Sequence, residues 1–490
     1  MKYFLTILLT LLPVISFAAG PFYIYPSEKG GSSYRWSGGY VKWKYDNGLA
    51  GLSKKVPAVP LEKNKSYCKS LTSDPCLVMD KCGVVACVEK AFEIWSDAHL
   101  ALADKEKTVV NTANVSAFNA GAIDGDADVT LENIDKYMDK AKEEGVVLIV
   151  LDVDGSIIDK AAGGEGAKKS ILGLSDPLRD KDSNRYEGGT LVLNGLFLDG
   201  EKSDDNPEDV TNVKFAATIL HEVGHILGLD HSQPQHAVLG SSIDIAQVPE
   251  GVTTMYPKLL DIAPPADDAQ YDLHVDDVVA ISSLYSSGDF DSKFCMIKGS
   301  IENEKGVPYQ GINVIAYSNE ANQMYNDARM FVSGALYPAE TKNGDYVLAG
   351  IAPCRPYKVI YEAVYDEFQS YKGGINPYDG KFAGPDEKDI KNAVNITTGD
   401  YKTDVVTCNP DNLCDEPVLL ADYSISSAEA KEVKMDAAPP PPQPGEDKSS
   451  GEQKKGWCMS VAGGFAPESG LIVILTLVLL GAARKKYIIF

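Results

Sequence analysis

The chain has 490 residues, 44% of them hydrophobic, so it can bury more than one core and is not disordered throughout. Its 70 acidic and 46 basic residues give a formal net charge of -24. This balance disfavours a nucleic-acid partner, because phosphates attract basic surfaces, and it suits a soluble protein that binds hard cations.

The first residues have the layout of a secretory signal peptide. Lys2 precedes an apolar run, and the run ends in small residues. We predict cleavage after Ala18 or Ala19, which makes residues 1–19 the signal and places the mature chain outside the cytoplasm. A buried core helix is the alternative, but Lys2 and Pro13 argue against it.

Nine cysteines follow, and an oxidising compartment favours disulfide bonds between them. The eight that can pair are Cys68, Cys76, Cys82, Cys87, Cys295, Cys354, Cys408 and Cys414. Cys458 is left over. A zinc knuckle is the alternative for the first four, but no C-x-x-C spacing occurs among them.

Two amphipathic helices and a buried strand are predicted in the first half. One apolar face recurs at spacings of three and four, and its members are Val85, Val88, Phe92, Trp95 and His99. His99 is interpreted as a core or helix-end residue. A second face comprises Leu131, Ile134, Met138 and Ala141, in a helix that stops at Gly145. The apolar run VVLIVLD follows and indicates a strand of a parallel sheet, buried on both faces.

The segment HEVGHILGLDH, at 221–231, predicts a metal site. Residues 211–227 form a helix with Thr211 or Asn212 as N-cap, so His221 and His225 share one face. Gly228 can end the helix in a left-handed conformation and bring His231 to the same ion. Three imidazoles leave one zinc position for water, and Glu222 lies beside it as the general base.

A short H-E-x-x-H motif can occur by chance on a solvated helix, whereas the glycine and third histidine make the extended motif far more specific. With Met255 in TTMYP at 253–257, the region resembles the metzincin metalloproteases, in which a methionine turn lies beneath the metal. Ser232 after the last histidine, AFEIWSDA at 91–98 and LHVDDVVAISSLYS at 273–286 are similar to the matrixin group.

The matrixin resemblance implies an α/β fold over residues 20–290: an α+β metzincin-like catalytic domain with a twisted, mostly parallel sheet and an active-site helix. It also implies that peptide substrates pair with an edge strand of the sheet. We take GGTLVLNG at 188–195 as that edge. The expected substrate contacts are Gly189, Thr190, Leu191, Tyr256 and Pro257.

The sequence also departs from animal matrixins. It has no PRCGxPD-type cysteine switch, and no histidine between His99 and His221 that could bind a structural zinc. The 24 positions from His231 to Met255 imply an inserted loop at about 233–252. We interpret His236 and His274 as surface histidines rather than metal ligands.

Two acidic stretches are candidates for structural calcium. DVDGSIID offers Asp152, Asp154 and Asp159 around a glycine turn. The second stretch offers Asp124, Asp126 and Asp128 at EF-hand spacing, but Val129 replaces the glycine expected at its sixth position. Solvated acidic turns are the alternative in both cases.

The C-terminal part is expected to be an accessory β domain and a tether. Residues 291–435 alternate apolar and polar positions and resemble carboxypeptidase regulatory-like, prealbumin-like β-sandwiches. The proline-rich residues 436–456 indicate a spacer. Residues 457–490, with Cys458 and a short apolar run before basic residues, resemble bacterial C-terminal sorting tails; a plain membrane anchor is the alternative.

These features predict an exported, surface-tethered and monomeric zinc endopeptidase that acts on proteins or peptides. The alternative is a surface adhesin or scaffold with a zinc-stabilised fold and no turnover. An intact Glu222 distinguishes the two, because a scaffold needs metal ligands but no base.

Overall fold

The computed structural model describes residues 20–25, 32–46, 81–102, 108–124, 128–162, 164, 166–199, 207–232, 234, 252–257, 259, 270–301, 308, 311–318, 326–335, 343–352, 357–363, 405–407 and 458–461.

The described strands are β1 Ile24–Tyr25, β2 Ser32–Ser33, β3 Tyr40–Tyr45, β4 His99–Ala101, β5 Val109–Asn111, β6 Ser116–Ala122, β7 Val147–Asp152, β8 Ile171–Arg179, β9 Tyr186–Asn194, β10 Cys295–Ser300, β11 Ile312–Ser318, β12 Ala328–Val332, β13 Asp345–Ile351, β14 Tyr357–Ala363, β15 Val405–Thr407 and β16 Cys458–Val461. The described α-helices are α1 Lys81–Ser96, α2 Ile134–Glu144, α3 Ser156–Ala161, α4 Asn212–Ile226, α5 Val275–Leu284 and α6 Asp289–Lys293.

A mixed main sheet organises the first half of the chain, in the order β16-β8-β9-β7-β3-β6. The pairs β3–β6, β3–β7 and β7–β9 are parallel, whereas β8 is antiparallel to β9. The predicted parallel sheet with a buried central strand is therefore confirmed, since all six residues of β7 are buried. β16 adds a sixth strand from the far end of the chain, antiparallel to β8.

Helices cover both faces of the main sheet, which explains the continuous apolar run of β7. Val147, Ile149 and Leu151 belong to the core shared with α1 and α4. Leu148 and Val150 face the opposite way, into the core with α2 and α3. Successive side chains of a strand point to opposite faces, so both sets must be apolar here.

Three sequence expectations about these elements need correction. α1 ends at Ser96, and His99 lies in β4 as an exposed residue rather than on the helical face. Leu131 precedes α2 in a turn and is 36% exposed. The strand at 188–195 is not an edge, because β9 pairs with β7 on one side and β8 on the other. The predicted stop at Gly145 is confirmed, with a left-handed φ of 61°.

Strands after residue 294 form two small antiparallel sheets, in the orders β13-β10-β15 and β12-β11-β14. Much of 291–435 lies outside the described residues, so a regulatory-like β-sandwich over that range stays a prediction. The small sheets share one continuous hydrophobic core with the main sheet, to which Val279 of α5, Val314 and Phe331 all contribute.

The tail expectations fall mostly outside the described residues, including the apolar run at 471–483. In the part of the chain that is described, no helix is both long and apolar enough to span a membrane.

Candidate metal centre and its neighbours

The helix α4 forms as its sequence predicts. The hydroxyl of Thr211 accepts a hydrogen bond from the amide of Lys214 and caps the N-terminus. The helix ends beside Gly228, whose φ is 99°, and the Gly228 amide donates to the carbonyl of His225 (2.9 Å). A residue with a Cβ would be strained at this φ, so glycine is what lets the chain reverse and present His231.

The three histidines come together as the spacing predicts. One ligand atom from each of His221, His225 and His231 lies within 4.8 Å of the other two, and all three residues are buried. The ring centroids are 4.6 Å apart for His221 and His225, and 4.8 Å apart for His225 and His231. Among the described residues, this is the one group of metal-binding side chains with such a geometry.

Backbone carbonyls fix the orientation of two of these rings. Nδ1 of His221 lies 2.7 Å from the carbonyl oxygen of Thr254, and Nδ1 of His225 lies 2.8 Å from that of Leu229. Because a carbonyl can only accept, each Nδ1 carries the proton and donates it, which leaves the Nε2 lone pair for a metal. Nε2 of His225 is buried without a hydrogen-bond partner among the described residues.

Burial keeps the imidazoles in the neutral form that metal binding requires. Desolvation lowers the pKa of His221 to about 4, although its hydrogen bond to Thr254 opposes the shift. Desolvation, together with the neighbouring His221 and His231, lowers the pKa of His225 well below its ordinary value. The site is therefore built for neutral nitrogen donors.

The side chain of Glu222 extends from helix α4 toward strand β8. Its carboxylate accepts a hydrogen bond from the hydroxyl of Ser175, which also lies 3.0 Å from the Glu222 carbonyl oxygen. A Cβ on Gly173 would lie 2.8 Å from Glu222 Cγ, so β8 passes directly over this side chain. Burial raises the pKa of Glu222 to about 8, against the opposing effect of the Ser175 hydrogen bond.

The turn at Thr254 and Met255 packs against the same helix. Met255 is fully buried, and its backbone carbonyl accepts from the amide of Ser232 (2.9 Å). A Cβ on Gly224 would collide with the Met255 sulfur and with Trp95, so this glycine allows close packing between the helix and the turn. The predicted methionine turn therefore lies against the histidine-bearing helix.

Asp277 holds this turn from α5, which the sequence analysis missed. Its carboxylate accepts from the amides of Thr254 (2.8 Å), Met255 (3.1 Å) and His274 (2.9 Å). His274 is the N-cap of α5 and is only 4% exposed, so the expectation of a surface histidine is wrong. The paired aspartates in LHVDDVVAISSLYS were the available signal.

The five expected substrate contacts lie in two places, the methionine turn and strand β9. Tyr256 and Pro257 are buried beside the methionine turn. Gly189, Thr190 and Leu191 lie within the interior strand β9 and pair with both neighbours, so they offer no free edge. The next strand outward is β8, which pairs with β9 on one side and with β16 on the other.

The candidate calcium ligands do not form a shared ligand group in the described part of the chain. Asp152 accepts from the amide of Ile158 (2.9 Å), Asp154 from Ser156 (3.0 Å) and Asp159 from Lys168 (2.8 Å).

In the other acidic stretch, Asp124 forms an ion pair with Lys140 (3.3 Å) and Asp128 accepts through its backbone from Asn133. Asp126 lies outside the described residues. Calcium at either stretch stays a prediction.

The cysteine prediction is described in part. Cys87 and Cys295 are each disulfide-bonded. No cysteine pair lies among the described side chains, so the pairing remains open.

Three imidazoles converge on one point, the residue after His221 on the helix is the carboxylate Glu222, and a mixed sheet lies alongside. Together these features define a metal-dependent hydrolase. Residues 70–255 match the matrixin family of peptidases (Peptidase_M10: Matrixin). The match includes all three histidines and ends at Met255. It supports the metzincin-type assignment of this region, a metallopeptidase class whose catalytic metal is zinc. No curated protein matches the chain.

Proposed function

We propose that the protein is a zinc-dependent endopeptidase that hydrolyses peptide bonds of extracellular or surface proteins, with Glu222 as the general base. The observation that carries the proposal is the position of the Glu222 carboxylate beside three convergent imidazoles: His221, Glu222 and His225 lie on one buried helix directly under strand β8, and His231 joins them from the turn after it. A scaffold would need the nitrogen ligands but not the carboxylate.

The residues fit a zinc ion. Neutral imidazole is a preferred zinc ligand, and the Nδ1 bonds to Thr254 and Leu229 direct Nε2 of both helical histidines toward one point. Three protein ligands leave a coordination position open, as catalytic zinc sites do. When bound, zinc supplies Lewis acidity, which polarises a carbonyl oxygen and acidifies water.

Glu222 supplies the proton transfers. Its carboxylate can accept the proton of the attacking water and return it to the leaving amine nitrogen, so the peptide C–N bond breaks with no net change at Glu222. Burial alone disfavours the charged carboxylate, whereas a nearby cation and the Ser175 hydrogen bond favour it. Ser175 thus both orients the base and stabilises its active form.

Cellular location and partners form part of the proposal. A signal peptide at 1–19 supports export, and the sorting-tail resemblance of 457–490 supports a bacterial surface or periplasmic location with membrane attachment. The charge of -24 argues against nucleic acid as a partner. We propose a monomer that acts on protein or peptide substrates.

The test compares Glu222→Gln with His225→Ala in the full chain, purified in detergent and loaded with zinc. We expect Glu222→Gln to keep one zinc per chain but to lose at least about 100-fold in peptide hydrolysis, since a general base typically contributes about 10²–10⁴-fold. His225→Ala should lose both zinc and activity. Cleavage of a peptide library and elemental analysis provide the two measurements.

Glu143→Gln is the matched control, because Glu143 is an exposed carboxylate on α2. It should leave both measurements unchanged. Hydrolysis that survives Glu222→Gln, or that is insensitive to a chelator, would show that the proposed mechanism is wrong.

A further inference from the structure

The outer edge of β8 is occupied by a segment from near the C-terminus. β8 pairs with β9 on its inner side and with β16 on its outer side. In the outer pair, Cys458 lies opposite Ser175, Met459 opposite Leu174, and Ser460 opposite Gly173. The segment Cys458–Val461 therefore extends the sheet in antiparallel orientation, although it begins 279 positions after Arg179, the last residue of β8.

The same part of β8 lies over the catalytic helix. Gly173 and Ser175 of β8 both approach Glu222, the first by close packing and the second by a hydrogen bond. Their backbone partners in β16 are Ser460 and Cys458. The segment thus runs alongside the proposed general base rather than along a remote part of the sheet.

An extended peptide presented to Glu222 would need the same backbone groups. Addition of a strand to a sheet edge uses the edge's free N–H and C=O groups, and each group on β8 can serve one ladder at a time. β9 already takes the inner groups. A substrate and the segment Cys458–Val461 would therefore compete for the outer groups of β8.

We propose that Cys458–Val461 occupies in cis the outer edge of β8, at which a peptide substrate of this centre would otherwise pair, and so competes with substrate. The inference rests on the proposed function. Its occupant is a defined segment of the chain, and its effect is to restrain hydrolysis until the segment leaves the edge.

Covalent attachment to the same chain strengthens the otherwise weak pairing of Cys458–Val461 with β8. Four residues can form only a few ladder hydrogen bonds, so the segment binds reversibly. Residues 408–457 join this segment to β15. Covalent attachment raises the effective concentration of the segment at the edge of β8. A competing peptide in solution lacks this advantage. Occupancy in cis can therefore restrain the site although the strand is short.

The test uses the double substitution Met459→Pro and Ser460→Pro in the full chain. Alternate residues of an antiparallel strand direct their N–H groups at a given neighbour, so two consecutive prolines remove at least one ladder donor. Met459→Ala with Ser460→Ala is the matched control, because it shortens the same side chains but keeps both N–H groups.

Amide exchange of residues 171–175, measured in a Glu222→Gln background, reports occupancy without any dependence on turnover. We expect faster exchange in the proline variant than in the alanine control. With Glu222 intact, we expect the proline variant to hydrolyse an unrelated peptide at least about fivefold faster than the alanine control, as the loss of ladder hydrogen bonds frees the edge.

Three other results would be decisive. Unchanged exchange of residues 171–175 in the proline variant overturns the occupancy. Faster exchange with unchanged hydrolysis shows that β16 is only a structural edge strand, and overturns the competition. Absence of hydrolysis in every variant, including the proline one, refutes the proposed function, while the exchange result still decides whether the segment binds β8.

Discussion

Asp277 shows how a single carboxylate supports the metal centre without touching the metal ligands. It accepts three backbone amide hydrogens, two of them from Thr254 and Met255. The carbonyl of Thr254 in turn accepts from His221. Burial raises the pKa of Asp277 to about 7, and the three amide hydrogen bonds oppose this shift. Asp277 therefore positions the metal-binding side chain of His221 indirectly, through Thr254.

Asp277→Ala should destabilise the protein and weaken its metal binding. The change leaves three buried N–H groups without an acceptor, at a cost of about 1–3 kcal/mol each before relaxation. Loss of the support behind His221 should weaken zinc affinity by about 10–100-fold. Urea unfolding and competition with a chromogenic chelator measure the two effects.

Asp291→Ala is the control for this prediction, since Asp291 is an exposed carboxylate on the neighbouring helix α6. A stability change within about 0.5 kcal/mol is expected there. If Asp277→Ala also falls in that range and keeps its zinc affinity, the positioning role is wrong.

At the scale of elements, the junction of β7 and α3 depends on a buried acid. Asp152 ends β7, is 2% exposed, and accepts from the amide of Ile158 in α3. Desolvation raises its pKa to about 7 against the lowering effect of that hydrogen bond, and the neighbouring Asp154 contributes further. In the absence of a cation, this acid is protonated more readily in the folded chain than in the unfolded one.

The raised pKa of Asp152 predicts that the free energy of unfolding depends on pH, and that Asp152→Asn weakens this dependence. Between about pH 4 and pH 7 the folded state keeps a proton that the unfolded state releases, so stability falls as pH rises through this window. Asparagine can still accept from Ile158 but does not titrate. Urea unfolding at pH 5 and pH 8 measures the two free energies of unfolding. The decrease from pH 5 to pH 8 should be smaller in the variant than in the wild type, by a few kcal/mol at most.

Calcium provides a second readout of the same junction. If Asp152, Asp154 and Asp159 bind it, added calcium favours the charged carboxylates and should flatten the pH dependence of the wild type only. Equal pH dependence in wild type and Asp152→Asn, with and without calcium, would contradict both the titration and the predicted site.

At the scale of the whole molecule, the small sheets are packed onto the catalytic region. The carboxylate of Asp276 accepts from the amide of Met330 in β12 (2.7 Å) and from the hydroxyl of Ser232, next to the last histidine. The hydroxyl of Tyr317 in β11 donates to the carbonyl of Pro234 (2.7 Å). A shared core and these bonds connect the small sheets to the chain leaving the metal site.

We therefore expect the metal centre and the small sheets to unfold together. Zinc at about 1,000 times its dissociation constant should stabilise the folded state by about 4 kcal/mol, and the gain should extend to residues 312–332. Calorimetry and amide exchange, with and without a chelator, make the measurement. Two separate transitions, with exchange in β11 and β12 indifferent to zinc, would contradict the coupling.

The sequence predicted most of what depends on local spacing. The helix α4, its Thr211 cap, the left-handed Gly228 and the convergence of His221, His225 and His231 follow from helical periodicity and glycine conformation. The buried strand β7 was readable because a strand covered on both faces must be apolar throughout. These features need no distant partner to be inferred.

Long-range pairing could not be read from the sequence. The sequence predicts the edge at 188–195, but strand order depends on contacts between distant segments, and these place β9 between β7 and β8. Ser175 and Asp277 gain their roles only from neighbours 47 and 22 or 23 positions away.

The sequence by itself thus predicted the three histidines as metal ligands, Glu222 as the proposed base, and the helix that carries Glu222 and two of the histidines, because one turn of a helix fixes the spacing of His221 and His225. Only the tertiary structure decided which strand lies over Glu222, which carboxylate holds the methionine turn, and that Cys458–Val461 pairs with the outer edge of β8. Those contacts join segments remote in sequence, and folding of the whole chain brings them together.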